Sequence, residues 1–438
     1  MRRLKKTSIF FVILIILLSF LTSAFASSLS DKTKELEASM DSEAVLIMET
    51  STGKVIYEKN GYQVKYPAST TKIMTAILTL EHCNLDETAT ASENAITSIP
   101  SGYQTANIQI GETLSVEALL YALMLPSAND SAVVLAEHVA GSVDNFSDMM
   151  NKKAEEIGCK NTHFVNPNGI HNDNHYSTAY DLALIANYAM QNEEFRKIVK
   201  TTSFTLPATS AYPSETRTYM NTNNLIIPDY RDKADNYYYE YAQGVKTGFT
   251  SQAKNCLVSM AEKNGIQYTC VVLGSSITYE NGESVSHRYV DSIALFNYAF
   301  DNFSFRKIKS EKNNIETIEI ENGKKDSKKL DLLIASDVTA LVSIDNKNTE
   351  FKPDIQLKEG LKAPISKGEL VGTISYDIEG LRYTTDLIAG NSVEEYKPSY
   401  LWLYLLLFII IISIIFLGIK YIKLKQKSSN KKVKYIIK

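Results

Sequence analysis

Apolar and polar positions along this 438-residue chain follow several different periods, and each predicts an element. Residues 9–21 (IFFVILIILLSFL) are almost wholly apolar, follow Arg2, Arg3, Lys5 and Lys6, and lead into Ala24-Phe25-Ala26. A basic start, a short apolar run and small residues at the cleavage positions predict a secretory signal over 1–26. Residues 44–60 (AVLIMETSTGKVIYEKN) read as strand, Ser-Thr-Gly turn and strand, and 255–274 as a hairpin about Asn264-Gly265. Between them the spacing becomes helical over 115–125, over 130–141 just past Asn129, and over 145–157 up to Gly158. Strand hairpins at both ends with helices between them predict an α/β (α+β) domain, a sheet flanked by helices.

Past residue 305 the period returns to two, over 315–325, 330–335, 339–344 and 369–390, with turns at Asn322-Gly323 and Glu379-Gly380. This predicts a small β-sandwich followed by a short linker, 391–399. Residues 401–419 (LWLYLLLFIIIISIIFLGI) carry no charge, and at 1.5 Å per residue they span a hydrocarbon core of about 30 Å. Tyr400, Trp402 and Tyr404 sit at one end as an interfacial belt would, and eight lysines without an acid follow the other. The positive-inside rule then places the tail in the cytoplasm and the body outside the membrane. The expected organisation is a signal over 1–26, a first domain over 27–305, a β-rich domain over 306–395, a transmembrane helix over 399–419 and a basic tail over 420–438.

The formal charge of -4 conceals this segregation, because the secreted part sets 34 basic residues against 50 acidic ones. A body so acidic excludes nucleic acid as a general partner. Four cysteines in so long an ectodomain make isolated thiols, or at most a single bridge, and no disulfide scaffold. The six histidines form no HExxH or HxH cluster, and His171 and His175 lie in a polar Asn/Asp-rich loop, so no metal site is expected.

The stretch 66-YPASTTKIMTA-76 places Ser69 and Lys72 three residues apart where an extended segment becomes a helical run. Ser-x-x-Lys recurs at Ser51/Lys54, Ser251/Lys254 and Ser304/Lys307, but only Ser69 opens a strong helix, after Pro67. At a helix start the two side chains share a face, and the free N–H groups there favour a developing oxyanion. A lysine activates a serine only as the neutral amine, so its pKa must fall well below about 10.4. The alternative reading of the same residues is an N-cap serine and a solvated helix lysine.

Two further motifs change the balance. Pro126-Ser127-Ala128-Asn129 interrupts the chain between two helices, and Gly244-Val245-Lys246-Thr247-Gly248-Phe249-Thr250 precedes the hairpin at 255. Ser-x-x-Lys, Ser-x-Asn and Lys-Thr-Gly in this order resemble the active site of penicillin-binding proteins and serine β-lactamases. The stretches 45–60, 67–76, 126–132, 161–170, 175–183 and 244–250 are similar to those of the low-molecular-mass D-alanyl-D-alanine carboxypeptidases. That resemblance implies a serine β-lactamase/transpeptidase-like catalytic domain with a helical subdomain, followed by the β-rich domain and membrane anchor.

It further implies that Ser69 is the acylated nucleophile and Lys72 its base, and that Ser127 relays a proton to the departing D-alanine. Asn129 would hold the substrate amide and position Lys72. Lys246 and Thr247 would bind the terminal carboxylate, and the N–H groups of Ser69 and Phe249, beside Gly248, would form the oxyanion hole. The implied substrate is the peptidoglycan stem peptide, β-lactams are covalent inhibitors, and no metal or cofactor is required. Class A β-lactamases place a glutamate in the loop after Ser-x-Asn. Here 166–177 has only Asp173, which points to slow breakdown of a penicilloyl adduct. A DD-endopeptidase, a β-lactamase or a β-lactam receptor would use the same residues.

Overall fold

The computed structural model describes residues 28–228, 237–280 and 282–434. The expected signal, residues 229–236 of the tyrosine-rich segment, and the last four residues of the tail lie outside the described residues. The chain divides into two compact units. One reaches Arg306 and includes Leu341–Thr349, and the other comprises Lys307–Ala340 and the residues from Glu350 onwards.

The first unit is built on a five-stranded sheet of β1 (Ala44–Glu49), β2 (Val55–Lys59), β3 (Ala242–Thr250), β4 (Lys254–Lys263) and β5 (Ile266–Ser275). Its order is β2-β1-β5-β4-β3, with every neighbouring pair antiparallel. All six residues of β1 are buried. Ala44, Leu46 and Met48 enter one core, while Val45 and Ile47 enter a second core on the opposite face. A strand covered on both faces has no polar side to show, which is why Ala44–Met48 of β1 read as a continuous apolar run.

Helices α1 (Leu29–Ser39), α2 (Lys72–His82), α3 (Val116–Met124), α4 (Asn129–Ala140), α5 (Val143–Ile157), α6 (Ala179–Ala189), α7 (Glu193–Lys200) and α8 (His287–Asn302) surround the sheet. Leu36 of α1 and Leu295, Phe296 and Ala299 of α8 pack on one face, and α2 to α7 contribute to the core on the other. Helix α2 is buried at every position from Lys72 to Thr79. A helix apolar on all sides belongs inside a fold. Burying Ile73, Met74, Ile77 and Leu78 contributes roughly 1.5–3 kcal/mol apiece, and that drive carries Lys72 out of water with them.

Two boundaries differ from the sequence pattern. Helix α5 begins at Val143 because the Ser142 hydroxyl accepts a hydrogen bond from Asn145 N, a cap that apolar spacing alone does not register. Asn129, expected just before its helix, is the first residue of α4.

The second unit is sandwich-like and holds β6 (Asn314–Glu319), β7 (Lys329–Ile334), β8 (Asp354–Leu357), β9 (Leu370–Ile378) and β10 (Leu381–Ala389). They form an antiparallel sheet in the order β6-β7-β10-β9-β8. Strand β8 is a short, mostly exposed edge without alternation, and the sequence pattern does not reveal it. After it, α9 (Leu401–Lys434) has a stretch, Leu401–Ser428, long and apolar enough to cross a membrane.

Candidate active site

Pro67 sets the chain direction ahead of α2, and Ala68–Thr71 form one tight 3-10 turn before the α-helix begins at Lys72. Neither the turn nor the helix has a side-chain cap, so Ser69 is not the helix cap that one reading of the sequence made it. Ala68 takes a left-handed backbone conformation, φ 49°, which is uncommon for alanine and stores strain beside the serine.

Gly169 shows what holds that turn. A Cβ there would lie 1.9 Å from the Ala68 carbonyl oxygen, at a φ of +79°, so only glycine lets this loop press against the turn. Gly169→Ala is expected to cost about 3 kcal/mol or more of stability, read as a fall in the thermal midpoint.

Lys72 Nζ makes three hydrogen-bond contacts: 3.0 Å to Ser69 Oγ, 2.8 Å to Asn129 Oδ1 and 2.7 Å to the Asn168 carbonyl. Burial drives its pKa well below the ordinary lysine value, the nearby Lys246 charge adds to the fall, and Asp130 opposes it. Asn129 is fixed from its other side, because its N–H and its side-chain amide both donate to the Gln104 carbonyl at 2.9 Å. Ser127, between α3 and α4, also has a left-handed backbone, φ 68°. Its buried Oγ has no hydrogen-bond partner.

These groups open on a cleft of about 460 Å³. Ser69, Ser127 and Asn129 lie along it with Thr247, Gly248, Phe249 and Arg288, and Tyr103 and Ile170 also line it. Gly248 lets β3 approach the serine turn, since a Cβ there would stand 3.1 Å from Pro67 O and 3.2 Å from Ser69 N. Lys246 is wholly buried and donates to the Thr247 carbonyl at 3.1 Å. Burial, aided by the Arg288 charge, pushes its pKa down to about 7. Thr247 Oγ1 lies 2.6 Å from Thr222 Oγ1.

Among the described residues no aspartate or glutamate lines this cleft. Asp173 is nearly fully exposed and pairs with His171 at 3.4 Å.

Three contributors went unmarked in the sequence. The Asn168 backbone carbonyl has no sequence signature. His175, read as a polar-loop residue, is buried, and burial depresses its pKa to about 3. Its Nδ1 accepts from Val165 N at 3.1 Å and its Nε2 meets Thr71 Oγ1 at 2.8 Å, which ties the Asn168 segment to the serine turn. Arg288, in the first turn of α8, lines the cleft 42 residues beyond Lys246, and no local motif announces it.

A hydroxyl beside a buried, deprotonation-prone amine, on a turn at the mouth of a cleft with a cationic end, suits acyl transfer through a serine ester. The class is therefore that of the serine acyl-transfer enzymes. A sequence profile of D-alanyl-D-alanine carboxypeptidases matches residues 31–277, and one of the penicillin-binding protein 5 C-terminal domain matches 303–395. The D-alanyl-D-alanine carboxypeptidase DacF of Bacillus subtilis is 31% identical over 385 residues, 87% of this chain and 91% of that one. The crystal structure of penicillin-binding protein 5 from Haemophilus influenzae superposes with a TM-score of 0.61 at 28% identity, covering 81% of this chain and 98% of that one. The Streptomyces K15 DD-transpeptidase gives 0.53 at 33% identity over 60% of this chain and 98% of its own. The chain belongs to the family of serine-type D-alanyl-D-alanine carboxypeptidases.

Proposed function

We propose that this enzyme removes the terminal D-alanine of peptidoglycan stem peptides through an ester on Ser69, with its body held outside the membrane by α9. The observation that carries this reading is the hydrogen-bond set of Lys72. A neutral amine has two N–H groups and one lone pair. Asn129 Oδ1 and the Asn168 carbonyl can only accept, so they take the two N–H groups. The lone pair is then left facing Ser69 Oγ, 3.0 Å away, within range for taking its proton.

As Ser69 attacks the D-alanyl carbonyl, charge builds on that oxygen against the N–H groups of Ser69 and Phe249, where each donor is worth about 3 kcal/mol. The unpartnered Ser127 hydroxyl passes a proton to the departing amine. The terminal carboxylate meets Thr247 Oγ1 and the Arg288 guanidinium, and Lys246 behind them supplies positive field. Water then hydrolyses the ester. With no carboxylate among the described residues of the cleft wall to activate that water, a penicilloyl adduct is long-lived and the protein is a β-lactam target.

The test is D-alanine release from diacyl-L-Lys-D-Ala-D-Ala by the full chain, alongside labelling by a fluorescent penicillin. Both are expected. Labelling without release would move the assignment to an endopeptidase or a receptor, and failure of both in folded protein would overturn the serine mechanism. Arg288→Ala should lower kcat/KM for this peptide on the order of 10- to 100-fold, since a hydrogen bond to a charged group is worth about 1.5–3 kcal/mol.

A further inference from the structure

Away from the cleft, the far ends of α2 and α4 bring together three groups of a different kind. Cys83 directly follows α2, Glu87 lies four residues on, and His138 is in the last turn of α4. The Cys83 thiol, a Glu87 carboxylate oxygen and a His138 ring nitrogen all lie within 4.8 Å of one another. One carboxylate oxygen of Glu87 is already oriented, accepting from Asn84 N at 2.7 Å and from the Asn84 amide at 2.8 Å. Its other oxygen faces His138 Nε2 at 3.4 Å, too long for a good hydrogen bond. Neighbouring Glu137 does not compete for this place, because Ser92 and Asn94 hold its two oxygens at 2.6 and 2.8 Å.

We propose that Cys83, Glu87 and His138 bind one Zn²⁺ ion. Thiolate, imidazole and carboxylate together make a borderline-soft donor set, which selects zinc over the hard cations Mg²⁺ and Ca²⁺. Zinc bonds of about 2.0–2.3 Å in a tetrahedron place donor atoms roughly 3.3–3.8 Å apart. The three groups therefore close by about 1 Å, a movement that side chains at the ends of helices accommodate by rotation. Binding displaces the thiol proton to solvent, and water completes the fourth position. The ion would tie the end of α2 to the end of α4, the two helices whose first residues are Lys72 and Asn129. This site does not depend on the catalytic reading.

The experiment uses the untagged full chain in detergent, titrated with Co²⁺ alone and then with Zn²⁺. One equivalent of cobalt should give a thiolate-to-cobalt band in the near ultraviolet and strong visible bands of a tetrahedral ion, both removed by one equivalent of zinc. Cys83→Ser should lose the near-ultraviolet band. His138→Ala should bind more than about 100-fold more weakly, since losing even an outer partner of a metal ligand costs 10–100-fold. Zinc should raise the Tm of the wild type and of neither variant, with penicillin labelling retained in all three as evidence that they fold. Absence of the thiolate band, its persistence in Cys83→Ser, or a Tm indifferent to zinc would overturn the proposal.

Discussion

Ser69→Ala is expected to reduce both D-alanine release and penicillin labelling by roughly 10⁴-fold or more, the loss typical when a nucleophile itself is removed. The fold should survive. Ser69 caps no helix, and its side-chain hydrogen bond is the one it shares with Lys72, which retains Asn129 and Asn168 as acceptors. A variant with unchanged Tm and circular dichroism but no acylation would separate a chemical role for Ser69 from a structural one. Residual labelling at a second nucleophile would show as adduct on a different peptide in mass spectrometry, and would count against the mechanism.

Lys72→Met should slow acylation by about 10²–10⁴-fold, the usual contribution of a positioned general base. Stability should move the other way. Burial and the Lys246 charge hold the Lys72 pKa well below its ordinary value, so below the ordinary lysine range the unfolded chain binds a proton that the folded protein excludes. Stability therefore rises with pH through that interval, and at neutral pH a methionine removes the cost. The expected result is a higher Tm with far lower activity; a lower Tm would mean that the amine is structural. In the wild type, kcat/KM should fall as acid protonates Lys72. On the alkaline side it should fall as pH rises through about 7, where Lys246 loses its charge and the carboxylate its attraction.

The sequence made the site's inventory legible and left much of its assembly hidden. Ser69, Lys72, Ser127 and Asn129 are recognisable because each has its place on a helix start or break that apolar spacing reveals. The hairpin at 255–274 was equally clear, since Asn264-Gly265 is a strong turn signal and β4 and β5 flank it. What spacing does not carry is contact between distant segments. Arg288 reaches the cleft through tertiary packing, Asn168 acts through its backbone, and Gly169 matters for the atom it lacks. His175 looked polar because its neighbours are, yet the fold buries it against Thr71. The proposed zinc ligands lie 51 residues apart between Glu87 and His138, outside any local metal motif. Strand β8 escapes the sequence pattern because an exposed edge needs no alternation.

The first turns of α2 and α4 supply Lys72 and Asn129, and both helices belong to one continuous core. That places a limit on how this enzyme can change under selection by antibiotics. On the proposed mechanism, a core substitution that shifts either helix would disturb attack on drug and substrate alike, because both would meet the same serine and amine. Variants that separate the two must be sought on the rim, at Tyr103, Ile170 and Phe249, which line the cleft without belonging to either helix. Resistance arising in this chain should therefore cluster at a few surface positions, and its core should vary only where volume is conserved.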